Sequence, residues 1–375
     1  MPVEETAAFK ESLLEGPALN PPPGVTPNFE NPGGTHALGY GIVILAGVLS
    51  CLSVLLRLHS RYRVKSIRLE DGFFLVAFGF FAGQLYIVYD FAIFPGMDVH
   101  QWNVQMKVFI HILFHAHVYF IMYILCILFL KTAILLDWLH IFVPLKQRNY
   151  MFWVCHAMLW SNVIFYTVEI FMDIFQCTPQ EKIWNPLYEG GSCPIDMYVP
   201  YRATGILNLI SDLCILLLPQ KVIWGMNMSR SKKLSISILF AVGIFACVSA
   251  TVRLIYFDQF LAATDLTHII KPAAFWDISE NVAGFLIMAA PSIRKVFQSI
   301  PLPEFFVHLL WPFTRTGASN NYRDGLPSWR KPPFQRRRGP WDITELETSN
   351  MMSLSNTIDA KDARPRTVIN DMGLE

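Results

Sequence analysis

Carboxylates, histidines and basic side chains stand inside stretches of this sequence otherwise built from Leu, Ile, Val, Phe and Ala. They are Asp90, His111, His115, His117, Glu169, Asp173, Arg253, Asp277 and Glu280, with Lys131 and Asp212 set deeper in their stretches. A charge in such surroundings is expensive to keep, so each of these residues is a candidate site residue. Glu169 and Asp173 lie four apart and share one face of a helix. With Glu280 they are the carboxyls suited to general-acid work, because desolvation favours their protonated form. Arg253 and Glu280 fall at comparable depth on successive stretches, which reads first as an ion pair and second as a pair of ligand contacts. Lys131 with Asp212 reads as a structural pair in preference to a proton relay. His111 and His115 have the i, i+4 spacing of metal ligands, but HILFH lacks the glutamate of a zinc-protease motif, and no metal site is expected. The residues expected to line a ligand cavity are Asp90, His115, Glu169, Asp173, Arg253, Trp276, Glu280 and Asn281.

These groups need a scaffold, and the apolar stretches define it. There are seven, at about 38–56, 72–94, 108–136, 150–175, 201–223, 234–257 and 272–291. At 1.5 Å rise per helical residue each can cross a hydrocarbon core of roughly 30 Å. Backbone groups in lipid must be satisfied within the segment, so the stretches are expected as helices: an all-α, seven-transmembrane-helix bundle. Composition agrees, with 53% hydrophobic and only 16% charged residues, where a soluble domain carries about 25% charged.

Basic residues alternate between connections. Arg57, Arg61, Arg63, Lys65, Arg68, Lys146, Arg148, Lys221, Arg230, Lys232, Lys233, Arg294 and Lys295 fall on one set, against Lys10, Lys107, Lys182 and Lys271 on the other. The positive-inside rule then places the N-terminus outside and the C-terminus in the cytosol. Trp102, Tyr119, Trp184 and Trp276 fit an outer aromatic belt. Residues 1–37 are acidic and Pro-rich and lack the basic start of a cleaved signal; they are expected as a disordered extracytoplasmic tail ahead of the transmembrane domain, 38–297. The remainder, 298–375, is expected as a cytosolic tail: an interfacial apolar segment at 300–313, a basic Pro-rich stretch, then a disordered Ser/Thr-bearing end suited to a cytosolic partner.

Of seven cysteines, Cys51, Cys126, Cys155, Cys214 and Cys247 lie within apolar stretches as small buried hydrophobes. Cys177 and Cys193 flank an outward loop in an oxidising compartment and are expected as a disulfide worth on the order of 3 kcal/mol. The sequon Asn227-Met228-Ser229 falls on the cytosolic side. No phosphate-binding glycine motif, nucleophile elbow or internal repeat is present. A retinal Schiff base needs a lysine within the seventh stretch, and 272–291 has none, so no cofactor is expected. Neither an Asp-Arg-Tyr after the third stretch nor an Asn-Pro-x-x-Tyr in the seventh occurs.

An ordered set of pieces resembles the fungal rhodopsin-like integral membrane family over about 38–297. The pieces are Arg57 with Glu70-Asp71, Lys131-Thr132-Ala133-Ile134-Leu135, Ile141-Phe142-Val143-Pro144, and Gln176-Cys177-Thr178-Pro179 with Trp184 and Gly191-Ser192-Cys193. Leu207-Asn208, Asp212, Leu218-Pro219, Arg253-Leu254, Trp276, Glu280-Asn281 and Pro291 complete it. Glu70-Asp71 stands where the family usually has Asp-Asp, and His140 where it has Arg. The resemblance implies a receptor-like or sensory protein of a fungal membrane, plasma membrane or endomembrane. The alternative it leaves open is an intramembrane enzyme or accessory protein of a secondary-metabolite pathway, and a transporter is third. The partners implied are the lipid bilayer and a small apolar ligand or substrate, with no nucleic acid.

Overall fold

The computed structural model describes residues 3–143, 150–224 and 230–299. They form eight helices: α1 (Val3–Glu15), α2 (Ala37–Val64), α3 (Leu69–Ile93), α4 (Met106–Phe142), α5 (Tyr150–Ile174), α6 (Tyr198–Trp224), α7 (Arg230–Ala262) and α8 (Leu266–Ser299). Among the described residues there is no strand, only isolated bridges between extended segments. Six helices, α2 to α7, are long and apolar enough to cross a membrane. The seventh expected span lies within α8, which is 34 residues long and is interrupted in composition by Pro272 and Pro291 and by its charges. α8 packs chiefly against α7 and α2 and also touches α3 and α4.

The helices carry their apolar residues outward and much of their polarity inward. On α5 the buried positions are Cys155, Asn162, Tyr166, Glu169 and Asp173, spaced by three, four or seven residues, one helical face. Trp153, Trp160, Ile164, Val168 and Phe171 on the same helix are exposed. In water that arrangement would be inverted; facing lipid it is the one that removes polar groups from hydrocarbon. An apolar core persists between α2, α3, α4 and α8, where Phe285 meets Phe74 at 5.3 Å and Phe81 at 5.2 Å. Gly284 permits the close approach of α8 to α4: a Cβ there would stand 2.5 Å from Leu130 Cδ2.

The leading segment, expected without fixed structure, instead folds along the α3–α4 connection. Ala18 N–H donates to Val104 O at 2.8 Å and Met106 N–H to Gly16 O at 2.9 Å. Thr35 and Met97 exchange a backbone pair at 2.7 and 3.2 Å. The physical reason lies in the connection and not in the tail: Met97, Val99 and Val104 are buried, giving an otherwise polar segment an apolar edge to lie on. The expectations for the loops at 144–149 and 225–229, the sequon and the tail from 300 onward fall outside the described residues.

Candidate functional site: a cavity above a buried ion network

At the end of the bundle bearing the disulfide lies a cavity of about 480 Å³, walled by α3, α4, α6, α7, α8 and the α5–α6 loop. Its lining is largely aliphatic and aromatic, with Asp90, His111, His115, His117, Tyr119, Gln176, Tyr201, Lys271 and Asp277 as the polar points. His111 and His115 stand one turn apart, so the 3.6-residue period brings them to one wall, while His117, two residues on, meets the cavity from further round the helix beside Trp184 and Asp173. His111 and His115 lie with ring centroids 4.2 Å apart. Among the described residues no group of three or more His, Cys, Asp or Glu side chains is arranged to hold a metal ion.

Two structures surround the mouth. Cys177 and Cys193 are disulfide-bonded, and Thr178 and Ser192 beside them exchange backbone hydrogen bonds at 2.9 and 3.0 Å. Gly191 is required there: its φ is +67°, and a Cβ would stand 2.6 Å from Thr178 O. The stapled loop presents Trp184 edge-on to Phe114 at 5.1 Å and 5.9 Å from the His117 ring, and contributes Ile183 to the lining. On the other side Lys271 pairs with Asp98, and His100 Nδ1 meets Asp265 at 2.7 Å. Burial alone would raise the Asp98 carboxyl, but the Lys271 ammonium and the Thr35 hydroxyl, 3.0 Å away, hold it below the usual aspartate range.

Behind the cavity the ionisable groups interlock. Asp277, on the cavity wall, stands 3.1 Å from Arg253 Nε, which also donates to Glu280 at 3.1 Å. The Arg253 guanidinium lies over the Tyr123 ring, 5.0 Å from its centroid. Glu280 further accepts from Asn208 Nδ2 at 2.6 Å and from the Tyr123 hydroxyl at 3.3 Å. Asn208 is the hub: its side-chain oxygen accepts from Lys131 and from Tyr166, each at 2.6 Å. Lys131 closes the chain on Asp212 at 2.8 Å. The two pairs read from the sequence, Arg253 with Glu280 and Lys131 with Asp212, are thus members of one network spanning α4, α5, α6, α7 and α8.

The other candidates separate by position. Of the eight residues expected to line a cavity, Asp90 and His115 do so; Glu169, Asp173, Arg253, Glu280 and Asn281 are buried behind it, and Trp276 is half-buried. Asp173 reaches the cavity through intermediaries: it accepts from the Tyr201 hydroxyl and faces His117 Nδ1 at 3.5 Å, and both partners line the wall. Glu169 accepts no hydrogen bond of ordinary geometry, with the Thr204 hydroxyl alongside. Asn281 donates to Gln84 at 3.0 Å and accepts from Cys126 Sγ at 3.5 Å, tying α8 to α3 and α4.

A second ion cluster lies at the opposite end, where the sequence reading placed Arg57 and Arg61 on a basic connection. Arg57, 2% exposed, donates to Asp71 at 2.9 Å, to Asp137 at 2.6 Å and to the Met288 carbonyl at 3.3 Å. Arg61 adds contacts to Glu70 and Asp137, each at 3.0 Å. The misplacement has a simple cause: α2 continues eight residues beyond the apolar stretch, to Val64. The signal available was three acids, Glu70, Asp71 and Asp137, each within two residues of the end of a neighbouring stretch.

An α-helical bundle with lipid-compatible flanks, a polar interior and a cavity at one end defines a multi-pass integral membrane protein. The chain belongs to the fungal rhodopsin domain family, whose model matches residues 56–299. It is similar to fugralins biosynthesis cluster protein 2 of Gibberella zeae, with 33% identity over 288 residues, 76% of this chain and 71% of that protein. A SAT4 family membrane protein of Emericella nidulans is 37% identical over 207 residues, 54% of this chain and 50% of its own length. Satratoxin biosynthesis SC1 cluster protein 4 of Stachybotrys chartarum is 23% identical over 170 residues, 44% of this chain and 61% of its own. No solved structure matches.

Proposed function

We propose that this protein is a receptor-like, seven-helix sensor of a fungal membrane that takes a small, mainly apolar molecule into the cavity. α8 is the seventh span. Asp277 and Glu280 turn inward, and its length exceeds the roughly 20 residues needed to cross. The excess of basic residues on one set of connections supports an N-terminus and disulfide loop outside and a tail in the cytosol. The observation that carries the reading is Asp277, at once a wall of the cavity and a partner of Arg253. A molecule that engages Asp277 competes for a cation also bound to Glu280. Its arrival therefore bears on the contacts that set α7 against α8. That is the differential interaction a ligand needs in order to shift a conformational equilibrium.

A role inside a biosynthetic pathway is the second reading. It is favoured by the cluster proteins among the relatives and by the Asp173–His117–Tyr201 group at the cavity wall, which is suited to proton exchange. Metabolite profiling of a deletion strain separates the two. An unchanged product profile with a lost transcriptional response to added culture extract is expected for the sensor. A missing or stalled product refutes it in favour of the pathway role.

A further inference from the structure

The two buried ion clusters differ in their charge balance. At the basic end, Arg57, Arg61 and Arg68 meet Glu70, Asp71 and Asp137, three against three. Behind the cavity, the described buried cations are Lys131 and Arg253, while the carboxylates are Glu169, Asp173, Asp212, Asp277 and Glu280, two against five. Lys271, the remaining lysine at the cavity, is already engaged by Asp98. Unpaired charge is costly in a medium that cannot hydrate it, and an excess of carboxylates is relieved either by protonation or, where a carboxylate meets a cavity, by a cation brought from outside.

The position best placed to receive that charge is Asp277. Its side chain is 9% exposed, it lines the cavity, and its Oδ1, 3.1 Å from Arg253 Nε, accepts no hydrogen bond of ordinary geometry, with the Tyr119 hydroxyl alongside. The single cation near it is divided with Glu280. The rings of Tyr119, Phe120, Tyr201 and Phe257 stand in the same wall, and aromatic faces attract cations most strongly where water is excluded. A cavity of about 480 Å³ is within the size of small-molecule sites, and its largely apolar lining demands a largely apolar body.

We propose that the cavity takes a small apolar molecule bearing one protonated amine, with the ammonium held by Asp277 among these rings. This rests on the cavity being the ligand site of the preceding section and names the ligand class. The test uses three probes matched in shape and different in charge: 4-phenylbutylamine, 4-phenylbutan-1-ol and 4-phenylbutyrate. The full chain in lipid nanodiscs is titrated with each, and its thermal unfolding temperature is followed. The amine is expected to raise that temperature saturably, and the alcohol and the acid to leave it unchanged. Asp277→Asn is expected to weaken the amine at least tenfold, and Asp277→Glu to retain binding. If Asp277→Asn does not fold, the three probes on the wild-type chain decide the charge preference. An alcohol or acid that stabilises as well as the amine overturns the cationic class while leaving the cavity reading intact. Absence of a saturable shift with any probe overturns this inference, and the deletion-strain profile still judges the sensor independently.

Discussion

Replacing Arg253 with glutamine removes the cation that Asp277 and Glu280 share at 3.1 Å each. Both carboxylates are buried, at 6% and 3% exposure, so neither can recruit bulk water in its place. Breaking a buried pair by deleting one partner typically costs about 3–5 kcal/mol. Glu280→Gln is gentler, because Arg253 keeps Asp277, and the new amide can still accept from Asn208 and Tyr123. The loss of one charged hydrogen bond is roughly 1.5–3 kcal/mol. The double mutant loses the same cation but one fewer orphaned carboxylate, and should fall between the singles. At about 2–4 °C per kcal/mol for a domain of this order of size, Arg253→Gln should unfold roughly 6–20 °C earlier. Cys126, Cys155 and Cys247 are free and buried while Cys51 and Cys214 are exposed, so with those two replaced by serine a thiol-reactive fluorophore on detergent-solubilised protein reports the transition. Equal losses from the two singles, or a double mutant equal to their sum, would refute the shared-cation geometry.

Cys177→Ser and Cys193→Ser should each lower folded yield by an amount consistent with roughly 3 kcal/mol, and the double mutant should be no worse than either single. Additive losses, read from size-exclusion profiles, would mean the thiols act separately. For the orientation, a membrane-impermeant thiol reagent on intact protoplasts should label a cysteine introduced at Val25 and spare one at Asn350. Labelling at 350 from outside would invert the arrangement.

The spans were legible because lipid imposes one rule on every residue of a crossing helix, and a run of apolar side chains is its direct trace. Lys131–Asp212 and Arg253–Glu280 were legible because depth along a helix follows from residue count alone. Rotation about the axis is harder to read where a helix is apolar nearly all round, as α3 and α4 are. The sequence reading therefore named Asp90 and His115, which meet the cavity, together with Glu280 and Asn281 of α8, which lie behind it, without a means of separating them. Asn208 escaped for another reason: a neutral amide raises no alarm in an apolar stretch, yet it has donors and acceptors on both sides and joins two ion pairs into one network. Arg57 was hidden by the charge rule itself, which counts every arginine near a helix end as solvated.

That arginine also sets a timetable. Arg57 can meet Asp71 as soon as α3 enters the membrane, but its contact with the Met288 carbonyl spans 231 residues of chain. At about 5–20 residues per second of synthesis, roughly ten to fifty seconds separate the two ends of that bond. During the interval the first long helix holds a guanidinium whose final acceptor has not yet been made. Arrival of α8 both completes the wall of the cavity and closes the charge cluster at the far end. A nascent chain cut short before Met288 therefore carries an incompletely satisfied arginine.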